Sequence, residues 1–169
     1  MAVNAYLYID GVEGPSTSKA KHIDVVSFSW GVRQQTTYGE GASGNEAKAG
    51  RAEFEKLSVT KVLDKTSPLL ADHCATGNIL KEVYVVYDKP VGDKQEDYYR
   101  IYIKDALITS IQVSGGNENP TESVNFAYQG IEVAYKPEGD NGSLGAAVSK
   151  GHDLGLLTAD FAADKPLGS

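Results

Sequence analysis

Apolar residues along most of this chain recur at every second position, the spacing of a strand with one buried face. Residues 5–9 open the series, with Leu7 and Ile9 on one side and Tyr6 and Tyr8 on the other. Asp10-Gly11 turns the chain into a polar loop that runs through Gly14-Pro15 and Lys19. Residues 23–32 resume the alternation but change phase: Ile23 and Val25 first, then Val26, Phe28, Trp30 and Val32. One extra residue near Val25, a bulge or a bend, accounts for the slip. Opposite Phe28 and Trp30 lie Ser27, Ser29 and Gly31, a small polar face that must meet water or another subunit.

Further strands are expected at 54–62, 80–87 and 98–103, the last continuing less cleanly through Leu107, Ile111 and Val113. Residues 123–136 form the last long strand and again change phase, from Val124, Phe126 and Tyr128 to Ile131, Val133 and Tyr135, with Gly130 the expected bulge. Gly151 to Leu157 offers one more short strand. One stretch has a helical spacing instead. Ser67 is suited to cap a helix, Pro68 to its first turn and Gly77 to its left-handed end. Leu69, Leu70 and Cys74 share a face within it. A helix over 67–76 is too short to stand alone and must dock on the strands.

Residues 36–50 are rich in Gly, Ala and Ser, with no period and no large aliphatic side chain. A connection of that length inside a compact domain is uncommon and usually functional. The spacing predicts an extended loop, about 36–52, that orders on contact with a partner. The expected fold is mainly β: a two-sheet β-barrel or sandwich with one short α-helix and this long loop.

At 169 residues the chain suffices for one domain with its own core, and no disulfide is needed to hold it. The lone Cys74 has no internal partner and is expected to be a buried thiol. A net charge of −7, with the basic residues scattered, argues against nucleic acid or an anionic membrane as partner. No apolar run approaches the ~20 residues of a membrane span. The first residues carry no basic region followed by an apolar one, so no secretory signal is read there.

Candidate chemistry is thin. Gly39-Glu40-Gly41-Ala42-Ser43-Gly44 spells the dinucleotide-binding string, yet that motif works only between a strand and a helix, and a strand follows here. His22, His73 and His152 have no second ligand at metal-binding spacing. Glu53 and Glu55 share a strand parity but read as a solvated edge. No catalytic, cofactor or metal residue is therefore assigned, and the chain is read as no enzyme. More informative are Tyr6, Tyr8, Tyr84, Tyr98 and Tyr102, which fall opposite the aliphatic faces. Tyrosine suits surfaces that become partly buried against a protein or a sugar; the competing reading, of equal weight, is that both faces are internal.

Several strings, in order along the chain, resemble one family. Phe28-Ser29-Trp30-Gly31, the run from Thr60 to Leu69 with Cys74-Ala75-Thr76-Gly77, and Asn125-Phe126 followed by Tyr135-Lys136-Pro137 are similar to the Hcp family, the hemolysin-coregulated tube proteins of bacterial type VI secretion. The resemblance runs from the first strand to Pro137. It implies a single domain over 1–158, assembled as a homohexameric ring. Such rings stack into a tube tipped by a spike protein and expelled by a contractile sheath, with effector proteins in the lumen. Synthesis in the cytoplasm, secretion through the type VI apparatus, and no nucleic-acid or membrane partner go with it, as does the absence of cofactors.

In that family the long loop reaches the neighbouring ring, which would make Tyr38, Gly39, Glu40, Gly41, Ala42, Ser43, Gly44, Asn45 and Glu46 the stacking loop. Ser27 and Ser29 would line the lumen. Where family members carry an aromatic after a glycine near the end, this chain has Gly151-His152-Asp153, and its tail, 159–169, reads as flexible and partly appended. A phage tail-tube protein is the nearest alternative. A monomeric carbohydrate- or protein-binding β-module using exposed tyrosine is the alternative from another class.

Overall fold

A computed structural model of the chain describes residues 3–38, 47–155 and 166–168. Eleven strands and one helix are found among them. Two sheets face each other, and the chain crosses between them four times, at three corners and through the helix. The first sheet has the order β2 (Ile23–Asp24), β1 (Asn4–Ile9), β7 (Leu80–Val91), β8 (Lys94–Ser114), β10 (Gly130–Tyr135) and β11 (Val148–Asp153). The second runs β3 (Ser27–Ser29), β6 (Leu57–Val62), β9 (Thr121–Ala127) and the far half of β8.

The phase slips of the sequence are the corners of this sandwich. Near Val25 the chain leaves β1 for β6: Val25 N–H donates to Ala5 O, and Val26 N–H donates to Thr60 O. β2 and β3 are separate short strands on opposite sheets, so the structure is an open sandwich rather than a closed barrel. A second corner falls at Tyr128-Gln129, just before Gly130, where β9 ends against β8 of one sheet and β10 begins in the other. β8 makes the third corner within itself. Its early residues pair with β7 and β10, and Leu107 to Ser114 pair with β9. Asp105, at φ 48°, stands between the two stretches in a conformation that non-glycine residues rarely adopt.

Between the sheets Leu7, Ile9, Val83, Val85, Ile101, Ile103 and Ile131 meet Leu57, Val59, Ile108, Val124 and Phe126. α1 (Ser67–Thr76) lies against β8 and inserts Leu70 into this core. Gly77 ends it at φ 68°, its N–H donating to His73 O as expected of a left-handed terminator. Three details of the helix differ from expectation. Ser67 is its first helical residue rather than its cap, because its hydroxyl is engaged elsewhere, and the Asp64 carboxylate holds the Thr66 N–H at 2.8 Å instead. Leu69 is half-exposed, and Leu70 is the helix residue that is fully buried. Cys74 is half-buried, packed against the core edge.

The stretch expected to be an extended loop is largely a hairpin. β4 (Val32–Tyr38) and β5 (Ala47–Phe54) pair antiparallel as a separate two-stranded sheet, with Thr36 opposite Ala49. A hairpin off the body of the sandwich has little core to bury, so it needs no aliphatic alternation, which is why the sequence pattern missed it. Paired polar side chains stiffen it: Arg33 bonds Glu53 at 2.6 Å, and Gln35 Nε2 donates to the same carboxylate. At its base Phe54 packs on His152 of β11, with ring centroids 5.4 Å apart.

The five tyrosines divide. Tyr6 and Tyr102 are buried, and Tyr8, Tyr84 and Tyr98 are half-buried. Residues 10–21 fold over this outer face of the first sheet, and Leu167 is buried with Tyr6, Val86 and Ala134. The face is internal because the chain covers it, with Arg100 and Glu132 joined across it at 3.4 Å.

Candidate assembly surfaces

The outer face of the second sheet follows directly from register. Phe28, Val59 and Val124 point into the core, so their neighbours point out. Ser29 stands opposite Ser58, which stands opposite Asn125, which stands opposite Ser110. One step along, Ser27, Thr60, Ser123 and Gln112 form a second row. Val62, Thr121 and Ser114 form a third. Asn125 Nδ2 donates to Ser110 Oγ at 2.8 Å across the first row.

These three rows hold hydroxyls, amides and one valine, and no charge, in a chain of net charge −7. Ser27 and Ser29, the two residues singled out from strand parity, are both exposed at the β3 edge of this face. The sequence pointed to two of its members; the rest required the strand order, since β3, β6, β9 and β8 are far apart along the chain.

Of the expected stacking loop, Tyr38 closes β4, and Gly39, Glu40, Gly41, Ala42, Ser43, Gly44, Asn45 and Glu46 lie outside the described residues. β5 resumes directly afterwards, so the Gly-rich string connects two strands of a hairpin and does not open a helix.

Below the polar rows sits an arrangement that sequence reading missed. Lys61 and Glu122 face each other across β6 and β9 at core-facing positions, and both are fully buried. The Lys61 ammonium bonds the Glu122 carboxylate, lies 3.3 Å from both Ser67 Oγ and Asp64 Oδ1, and donates to Val62 O at 3.2 Å. Ser67 Oγ accepts from the Asp64 N–H and donates to Glu122 at 2.8 Å. The pair therefore ties the start of α1 to both strands. Its signal was available: Lys61 shares the parity of Leu57 and Val59, and Glu122 that of Val124 and Phe126.

The remaining candidates have structural partners. Glu53 is the hairpin's ion-pair acceptor. His73 Nδ1 faces Asn78 Nδ2 at 3.2 Å. Trp30 Nε1–H donates to Tyr128 Oη at 2.7 Å, and that hydroxyl donates to Glu55 O at 2.5 Å, closing the corner near Gly130. Among the described residues no three His, Cys, Asp or Glu side chains converge as a metal site would need, and no helix is long and apolar enough to cross a membrane.

The sandwich with its single docked helix and side hairpin is matched by a family model described as type VI secretion system effector, Hcp, over residues 6–135. The chain belongs to the Hcp family. Protein hcp1 of Pseudomonas aeruginosa is 33% identical over 147 residues, spanning 85% of this chain and 89% of that protein. The major exported protein of the same organism is 32% identical over 103 residues, 56% of this chain and 60% of its own length. A solved type six secretion system protein superposes with a TM-score of 0.82 at 28% identity, covering 93% of this chain and 99% of its own. Hcp1 from Salmonella typhimurium shares the fold at a TM-score of 0.72 and 22% identity, over 93% and 98% of the two chains. Membership places the chain among the Hcp proteins of type VI secretion systems.

Proposed function

We propose that this protein is a subunit of a type VI secretion tube: six copies close into a ring, rings stack, and the uncharged outer face of the second sheet turns toward the lumen. The observation that carries the reading is that face. Hydroxyls and amides in aligned rows stay hydrated without holding a counter-ion layer, and they offer only weak, interchangeable hydrogen bonds to a passing surface. Ser27 and Ser29 sit at its β3 edge, where the next copy would continue the wall. The connection between β4 and β5, residues 39–46, is the segment we assign to the contact with a neighbouring ring. A single such contact is weak, and six acting together are not. The spike, the sheath and effectors carried in the lumen are the partners this reading supplies, with synthesis in the cytoplasm and exit through the secretion apparatus.

Light scattering on the eluting protein tests the assembly: a mass of six 18.1 kDa chains, with annuli in electron micrographs, is the expected result. A monomer at every concentration would overturn it. Ser29→Glu tests the lumen assignment, since a ring of carboxylates replaces neutral hydroxyls while the strand stays folded. Retention of a co-purifying effector should fall; unchanged retention would remove Ser29 from the lumen.

A further inference from the structure

The segment between β1 and β2 is pressed onto the sheet beneath it. Bridges between Ile9 and Val12 and between Gly14 and Lys21 crimp residues 10–21 into a narrow strap. Gly14 lies so close to the returning chain that a Cβ there would stand 2.0 Å from His22 O. Lys21 takes φ 64°, a left-handed conformation that costs a side-chain-bearing residue ~1–2 kcal/mol. Something must hold such a segment closed: Val12 is buried in the core and Ser16 Oγ donates to Asp24, and two further contacts join them. Lys19 Nζ reaches Asp97 Oδ1 on β8 at 2.7 Å. His22, 8% exposed, is the other.

The His22 ring has an unambiguous arrangement. Its Nδ1 lies 2.7 Å from Ala20 O, and a carbonyl can only accept, so Nδ1 carries the proton. In the neutral ring Nε2 is then an acceptor, and it faces the Tyr84 hydroxyl at 3.2 Å. The ring is boxed by Tyr6, Tyr8 and Tyr84, with centroids at 6.3, 5.4 and 5.7 Å. Under it runs a ladder of parallel rings across three strands. Tyr8 stacks on Tyr84 at 4.8 Å, Tyr84 on Tyr102 at 6.4 Å, and the Arg100 guanidinium lies 5.7 and 5.3 Å from the last two.

We propose that residues 10–21 are a proton-sensitive cover over this tyrosine ladder, latched by neutral His22 and released when the ring takes up a proton. A proton on Nε2 turns an acceptor into a second donor aimed at a hydroxyl that was itself donating. Tyr84 must then rotate its O–H away from the ring, and the hydrogen bond is rebuilt around a cation. The surroundings do not welcome one: the site is buried and Lys19 on the strap is already positive, while Arg100 on β8 is paired with Glu132. The facing carboxylate, Asp97, is held by Lys19, and Asp24 on β2 by Ser16. Tyr6, Tyr8 and Tyr84 complete the box without charge, and Asp88 on β7 lies beside Tyr6.

Burial holds the His22 ring below its ordinary value of 6.5, and the Lys19 charge adds to that; the Ala20 carbonyl and Asp97 oppose it. The open strap therefore binds the proton more readily than the closed one, so closure is fully favoured above about pH 6.5 and weakens as pH falls through that value. Asp88, whose carboxyl is raised chiefly by burial, also gains a proton on acidification and is the competing cause.

Hydrogen–deuterium exchange at pH 7.5 and 5.0, corrected for intrinsic rates, tests the cover in the full-length assembled protein. The expected result is exchange about tenfold faster at pH 5.0 across residues 10–21, with β9 and β10 unchanged. His22→Gln should give strap exchange that no longer depends on pH, and Asp88→Asn should keep the wild-type response. Long-range proton–nitrogen spectra supply a measurement that needs no variant: an Nδ1–H tautomer at pH 7.5, titrating together with the strap opening. A strap indifferent to pH, a response that survives in His22→Gln, or one abolished by Asp88→Asn would overturn the proposal.

Discussion

Removing the Lys61 ammonium isolates the most consequential buried charge in the protein. Lys61→Met keeps the length and apolar stem of the side chain but leaves the Glu122 carboxylate, 1% exposed, with the Ser67 hydroxyl for support. Breaking one side of a buried pair costs about 3–5 kcal/mol, because the surviving charge stays desolvated. At ~2–4 °C per kcal/mol for a domain of this size, the melting temperature should fall by roughly 6–20 °C. Replacing both partners, as Lys61→Met with Glu122→Leu, removes the orphaned charge along with its partner and should recover most of that loss. The assay is urea unfolding of the four proteins of the cycle, followed by circular dichroism, with a coupling energy above ~2 kcal/mol expected. Amide exchange in α1 should rise first in Lys61→Met, because Ser67 joins the helix to the pair. Single variants each costing under ~1 kcal/mol, with additive effects, would refute the argument that this pair anchors the helix.

Tyr128→Phe strands two groups at once, the Trp30 indole N–H and the Glu55 carbonyl, and should cost about 1–3 kcal/mol in the same unfolding assay. Burial also pushes the Tyr128 and Tyr84 hydroxyls up to about 12 from 10. The unfolded chain loses those protons first as pH rises, so stability should decline between pH 10 and 12, and Tyr128→Phe should flatten part of that decline. Gly77→Ala meets no atom within 4 Å but must hold φ 68°, so it should lose about 1–2 kcal/mol through backbone conformation alone, with Gly77→Asn losing less.

Much of this architecture was written in the alternation of the chain. The helix over 67–76, the strands on both sides of it and the corners near Val25 and Gly130 were legible because each depends on neighbours in sequence: a period, a proline, a left-handed glycine, a phase slip. Those slips proved to be the places where one strand leaves one sheet for the other, which a local pattern records faithfully. The β4–β5 hairpin escaped because its strands pair with each other and bury little, so no apolar period marks them.

What the tertiary structure alone decided is which outward faces meet water. Tyr6 and Tyr102 have the same alternation as the exposed Ser27 and Ser29, yet both are buried. Residues 10–21 and Leu167, distant in sequence, lie over one sheet and not over the other. Likewise Lys61 and Glu122 stand at core-facing parity, but only β6 laid beside β9, with Asp64 and Ser67 at hand, pairs the two charges. The neutral rows from Ser29 to Ser110 exist only once four strands are aligned. Periodicity assigns each residue a side; long-range pairing decides what that side faces.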